Sequence, residues 1–266
     1  MFDEKFKEFI DTASTFSDSD LAEKFLEENS NFYLSIKIKK PAESSLSRQD
    51  TIPPDARDLA RLLSVGRLLR PISALEFGSG YSTGVLAEVM QYSKNRSEIP
   101  LGFDRSDRPY VLYSVDESEH YLAQARNRLT SQLSEHVEFF HARVALDRFN
   151  GRYCTAYDPI PNCLPDFIYL DGPSQFASRE SIRGFSLANT FRMPMAADIL
   201  AIENFLEPGC VVMIDGRTAN ARFLLKNLQR DWLHHHDERG DYHLLIMNER
   251  PLGGLNLKRL QFRGLL

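Results

Sequence analysis

The chain has 266 residues, 42% hydrophobic and 26% charged, with a formal net charge of −5. That composition belongs to a folded globular protein, and its acidic balance argues against a nucleic-acid backbone as the main partner. The N-terminus alternates charges without a signal-peptide core, no run reaches the length of a membrane span, and three cysteines in no metal-ligand spacing fit a reduced compartment, so a cytoplasmic protein is expected.

Phe6, Phe9, Ile10, Leu21 and Phe25 are spaced for one or two short amphipathic helices, interrupted between Thr15 and Asp20. From Asn31 to Lys40 the pattern alternates, Ile36 and Ile38 against Lys37 and Lys39, which predicts a strand or extended arm. The basic tip of Lys37, Lys39 and Lys40 reads as a solvated charge run. Pro53, Pro54 and Asp55 mark a helix start, with Ala56, Leu59, Ala60, Leu63 and Leu69 facing inward and Pro71 as the stop.

Ile72 to Val89 is the stretch around which the rest is organised. A short apolar run reads as a buried strand, Gly78 and Gly80 break it into a loop, and an apolar helical pattern resumes by Val85. Glycines let the backbone turn tightly and let a ligand approach the main chain, while the following helix N-terminus offers free N–H groups. Glu76, two residues before the first glycine, opposes a pyrophosphate and suits a ligand with a cationic head. The run Glu76-Phe77-Gly78-Ser79-Gly80-Tyr81-Ser82-Thr83 resembles the first motif of class I S-adenosylmethionine-dependent methyltransferases, and the resemblance extends from about residue 55 to about residue 250. It implies an α/β fold: a Rossmann-like doubly wound seven-stranded sheet, mostly parallel with a closing antiparallel hairpin, here with an N-terminal helical extension. Residues 1–54 are then an extension serving as cover or dimer contact, 55–250 the methyltransferase domain and 251–266 a C-terminal tail. S-adenosylmethionine is the implied cofactor, with Glu76, Gly78, Ser79, Gly80, Ser82 and Thr83 in its site.

The polar tract Ser93 to Pro109 reads as a surface insertion. Val111 to Asp116 is the second strand, ending in an acid. Ligands of doubly wound sheets lie at such ends, and Asp116 matches the family's ribose ligand, with Glu117 in its place if the register shifts by one. Helix capping is the alternative duty of this acid. A helix from Glu119 to Leu133 and a third strand, Val137 to His141, follow. Ala142 and Arg143 would border the adenine, and His141 is the histidine placed nearest a ligand. Arg148 to Pro165 reads as an inserted turn or hairpin. Asp166 to Leu170 is the fourth strand, and it too ends in an acid, Asp171, which the resemblance places between cofactor and substrate.

Ser174 to Met193 falls where this family carries a substrate lid and holds Arg179, Arg183 and Arg192. A helix from Ala196 to Leu206, a fifth strand from Cys210 to Ile214 ending at Asp215, and a helix capped by Thr218 come next. Trp232 to His236 and Tyr242 to Met247 form the closing hairpin. Neighbours on a strand point to opposite faces, so His234-His235-His236 reads as a solvated edge strand rather than a metal site.

The implied reaction is methyl transfer to oxygen of a small molecule or glycan precursor, with Asp171 as catalytic base or orienting group and His141 behind it. A magnesium-assisted variant resembling the catechol methyltransferases would use Asp171 and Asp215 as metal ligands, but Gly216 replaces the expected asparagine and Ser174 the expected lysine. Two other classes stay open: a nucleotide-dependent oxidoreductase and a catalytically silent cofactor-binding partner protein. A homodimer formed through the N-terminal extension stays open, and a membrane partner is not expected.

Overall fold

Helical spacing of Phe6, Phe9 and Ala13, and of Ala22 and Leu26, decides the first two elements of the computed structural model, α1 (Asp3–Ser14) and α2 (Ser19–Asn29). Asp18 caps α2 by accepting the Leu21 N–H at 2.9 Å. The structure describes residues 1–38, 54–96, 108–188 and 190–266. The readings of Lys39, Lys40 and Pro53, and of the polar tract across 97–107, lie outside the described residues.

The strand or arm expected from Asn31 is instead a third helix, α3 (Asn31–Ile38). A buried cap overrides the local alternation. The Ser30 hydroxyl accepts the Tyr33 N–H at 2.9 Å, and Glu88 accepts the Phe32 N–H at 2.9 Å as well as the Ser30 hydroxyl. Phe32 then seats against Gly84, where an added Cβ would come within 2.1 Å of its ring. Phe2, Phe6, Phe9, Leu26 and Phe32 share one core cluster with Leu62, Leu63 and Val85. The N-terminal segment is thus a layer of the core.

Asp55 caps α4 (Ala56–Leu69), which ends at Arg70 in a left-handed conformation just before Pro71. β1 (Ser73–Phe77) leads through the glycine loop into α5 (Tyr81–Asn95), and β2 (Val111–Asp116) follows. The single helix expected from Glu119 is broken in two, α6 (Glu119–Arg128) and α7 (Ser131–Ser134), because Thr130 starts a new cap on Leu133. Beyond β3 (Val137–His141), β4 (Arg143–Phe149) and β5 (Arg152–Asp158) form a hairpin, which starts at Arg143 and not at Arg148, the expected start of the insertion. β6 (Phe167–Leu170) is followed by a loop holding a small hairpin, β7 (Ser181–Ile182) and β8 (Phe185–Ser186). α8 (Asp198–Ile202) runs into a 3-10 turn at Glu203–Phe205, then come β9 (Val211–Asp215) and α9 (Thr218–Leu225). Arg217, not Thr218, precedes α9, and the Thr218 hydroxyl turns to His243 at 3.1 Å. β10 (Trp232–Asp237), β11 (Tyr242–Met247) and α10 (Gly254–Phe262) complete the chain.

The main sheet has the order β10-β11-β9-β6-β1-β2-β3. β11 runs antiparallel to both its neighbours and the other pairings are parallel. This is the expected Rossmann-like, seven-stranded, hairpin-closed sheet. Strand order reverses between β1 and β6, the position where such sheets open a ligand crevice at the carboxyl ends. No helix among the described residues is long and apolar enough to cross a membrane.

The tail, silent in the sequence, is tied to the opposite end of the sheet. Asp166, just before β6, accepts Arg259 at 2.8 Å and Arg263 at 3.3 Å from α10 and its C-cap, and the Ile72 N–H at 2.8 Å. All three charged side chains are buried. Burial alone would raise the Asp166 carboxyl, but the two guanidinium groups hold it below its ordinary value. Asp166→Asn leaves two buried cations short of their counter-charge and is expected to cost about 3–5 kcal/mol of unfolding free energy in urea titrations. Because the folded carboxyl is depressed, that difference is present above the ordinary carboxylate range and shrinks as pH falls through the folded value.

Candidate active site

β1, β2 and β6 end side by side, and each end carries an acid. Glu76 is fully buried. One of its oxygens accepts the Ser82 hydroxyl at 2.6 Å, the other the Thr83 hydroxyl at 2.7 Å and the Ser114 hydroxyl at 2.6 Å. Burial raises its carboxyl to about 7 against these three hydrogen bonds. Three hydroxyls enclose Glu76, and it fastens α5 and β2 beneath the loop. Ser82 and Thr83 are likewise turned inward to Glu76, and Ser79 inward to Ser114 at 2.6 Å, so these side chains build the loop from below.

The loop's upper side is main chain. Gly78 sits at φ +99°, and a Cβ there would lie 2.8 Å from the Gly172 nitrogen, so the β1 and β6 loops touch backbone to backbone. A Cβ on Gly80 would meet only the Ser82 hydroxyl, at 4.0 Å. That open side lies at the N-terminus of α5, where the Gly80 N–H is taken by the Thr83 hydroxyl at 3.0 Å.

Asp116 is buried, with one oxygen on the Ser79 N–H and the other on the Ser118 N–H, both at 2.7 Å. Burial, then the Glu117 charge, push its carboxyl up to about 7. Glu117 is half-buried and spans the mouth, accepting the Tyr157 hydroxyl at 3.2 Å and the Ser174 N–H at 3.1 Å. Ala142 is buried next to these acids and donates its N–H to the Asp116 carbonyl at 3.0 Å. Arg143 is exposed and paired with Asp158 at 2.9 Å. His141 is exposed at the end of β3, its ring nitrogens 3.1 Å from the Glu117 carbonyl and 3.6 Å from the Glu119 carboxylate.

Asp171, which ends β6, faces a cleft of about 340 Å³ lined also by Asp55, Arg57, Asp58, Met193, Asp215 and Arg217, with the turn Arg239-Gly240-Asp241 as its outer wall. Desolvation among these neighbours raises its carboxyl to about 7, against the pull of Arg217. Asp215 is pushed up to about 8 by burial and by the charges of Asp58 and Asp171, and it accepts the Tyr169 hydroxyl at 2.9 Å. β3 lies three strands from β6, roughly 14 Å at ordinary strand spacing. His141 and Asp171 thus stand at the ends of strands that are not neighbours. Met193 is the lid-loop residue in the cleft, whereas Arg192 lies over the Phe185 ring at 4.7 Å and donates to the Ser186 carbonyl.

The arginines of the cleft are Arg57, Arg217 and Arg239, and the sequence did not single them out. Buried Arg217 donates to the carbonyls of Asp171 and Pro173 at 3.3 and 2.9 Å and so fixes the β6 loop. Tyr157 was also missed; its ring stacks on Phe77 at 5.5 Å. Ser114, a hydroxyl inside an otherwise apolar strand, was the one visible signal of the Glu76 network. The metal expectation does not fit the donor set: Asp215 already accepts a phenol, Gly216 offers no side chain, and no group of three or more His, Cys, Asp or Glu among the described residues is arranged to hold an ion.

No protein-family model matches the sequence, and no curated protein matches it. Solved structures similar to the chain include cofactor-bound Rv0187 from MTB, at 12% identity over 82% of this chain and 88% of that one, with a TM-score of 0.41. Another is the SAH-bound Podospora anserina methyltransferase PaMTH1, at 12% identity over 86% and 95%, TM-score 0.48. A third is a precorrin-6y C5,15-methyltransferase from Geobacter metallireducens GS-15, at 14% identity over 77% and 94%, TM-score 0.39. At these identities and TM-scores, what each of those proteins binds or methylates stays with that protein.

Glu76→Leu strands three buried hydroxyls and is expected to cost about 3 kcal/mol in urea unfolding, with Glu76→Gln losing less than half of that. The folded carboxyl is raised from an ordinary 4.5 to about 7. Wild-type stability should therefore decline, relative to the Gln variant, as pH rises through that interval.

Proposed function

We propose that the chain is an S-adenosylmethionine-dependent methyltransferase that methylates an oxygen of a small polar molecule, a glycan precursor among the candidates. The observation that carries this reading is that Asp171 belongs to both halves of the site. Its main chain is packed against the Gly78 loop and its side chain lines the cleft. A donor lying on the loop and an acceptor lying in the cleft would meet at that residue. The cleft volume suits a small molecule, and its charged lining suits a polar one.

The residues fit the cofactor. The open side of Gly80 leaves room for it, main-chain N–H groups of the α5 N-terminus would take its carboxylate, Asp116 or Glu117 its ribose hydroxyls, and Ala142 and Arg143 would border its base. When bound, it supplies a methyl group on a cationic sulfur. The chain's own part is to align the acceptor and to take its proton. Asp171, with its carboxyl near 7, is a stronger base than an ordinary carboxylate and is still about half ionised at neutrality. Arg217, gripping the Asp171 and Pro173 carbonyls, holds that base in place.

Titration calorimetry should show S-adenosylhomocysteine binding and no NAD binding; NAD binding with none of S-adenosylhomocysteine would replace this reading with the oxidoreductase one. With labelled methyl donor and an acceptor panel, the methylation rate should rise with pH through about 7 as Asp171 ionises. Asp171→Asn should lower it by roughly 10²–10⁴-fold while leaving S-adenosylhomocysteine affinity unchanged. Binding with no methyl transfer to any acceptor class would favour a silent cofactor-binding protein.

A further inference from the structure

The histidine triplet of β10 is not absorbed by the site. On the edge strand, His234 and His236 share a face, and His236 pairs directly with His243 of β11. His243 is buried. The His236 ring lies 3.9 Å from the His243 ring with 7° between planes, and the His234 ring 5.3 Å away at 16°. A hydrogen-bonded chain crosses this stack. His234 Nε2 is 3.0 Å from His243 Nδ1, His243 Nε2 is 3.1 Å from the Thr218 hydroxyl, and that hydroxyl reaches Asp241 at 3.5 Å. Asp241 lines the cleft, and its carbonyl accepts the Gly216 N–H at 2.8 Å. One end of the chain is thus exposed at the sheet edge and the other is the outer wall of the cleft.

We propose that the His234–His243–His236 stack is a pH-sensitive latch on that wall. With at most one added proton on the His234–His243 pair the β10–β11 turn is held in place through Thr218 and Asp241, and a second proton releases it.

Counting protons shows why. The His234–His243 bond needs one N–H facing one lone pair. A first proton is tolerated, since a charged His243 donates from both nitrogens. A second sets N–H against N–H, and the bond is lost. Charge on His236 and His243 together would place two cations in parallel rings 3.9 Å apart. The other groups facing His243 oppose its charging: Arg222 from α9 and His235 from β10 are cationic or neutral, and its β9 register partner is apolar Ile214, with Asp215 one residue further along that strand. Asp241, the one acid in the chain of bonds, acts only through Thr218. Burial first, and then these neighbours, lower the His243 ring to about 4. A depressed histidine gives stability that is complete above its unfolded value of 6.5 and is lost as pH falls toward the folded one.

Trp232, the chain's single tryptophan, opens β10 and reports on the hairpin. In urea unfolding of the full chain followed by its fluorescence, the wild-type folding constant should fall on the order of 20-fold more between pH 7 and pH 5 than that of His243→Gln. Equal pH dependence in the two proteins overturns the latch. A second test needs no variant. Nitrogen-15 spectra of the wild type at pH 5 should show His243 still neutral in the dominant closed form, while exchange of the Gly216 amide through the rarer, protonated open form, corrected for its intrinsic rate, rises tenfold or more from pH 7. Titration of folded His243 near 6.5, or unchanged Gly216 protection, rejects the proposal.

Discussion

Glu76 takes hydroxyls from three places at once: Ser82 and Thr83 at the start of α5, and Ser114 in the middle of β2. A carboxyl with no contact to water cannot be left without such donors, so the first turn of α5 and the neighbouring strand must come to it. Ser79 is drawn in through Ser114, and Asp116 then receives the Ser79 N–H. The glycine loop hangs on this network. With the Ser79, Ser82 and Thr83 side chains facing down, the upper side at Gly78–Gly80 is main chain.

The loop is fixed from the other flank by backbone contact. Gly78 and Gly172 meet where neither tolerates a Cβ, and Arg217 ties down the carbonyls on either side of Gly172. The sheet's order reversal puts both flanks at the same edge. Asp171, whose backbone is locked by these contacts and whose side chain lines the cleft, belongs to both the loop and the cleft. Burial first, and then neighbouring charges, raise the carboxyls of Glu76, Asp116, Asp171 and Asp215 to about 7 or 8.

Much of this was legible in the residues. Apolar runs that end in acid located β2, β6 and β9, and the strand–glycine–helix pattern located the loop, because burial and turn geometry leave strong local marks. The hydroxyl partners of Glu76 were not legible. A carboxylate before a glycine loop looks the same whether it faces a ligand or faces hydroxyls, and the deciding partner, Ser114, is far off in sequence. α3 was misread because its cap, Glu88, comes from another helix. The cleft arginines Arg57, Arg217 and Arg239 belong to three separated segments that only the tertiary fold gathers, and α10 is held by Asp166 across nearly a hundred residues.

If the loop above Glu76 takes a methyl donor beside Asp171, a crystal structure of the full chain with S-adenosylhomocysteine will have the ligand over Gly78–Gly80, its ribose on Asp116 or Glu117, its sulfur toward Asp171, and Glu76 still enclosed by its three hydroxyls. A ligand bound elsewhere, or Glu76 turned out to grip the ligand's amino group, rules that placement out.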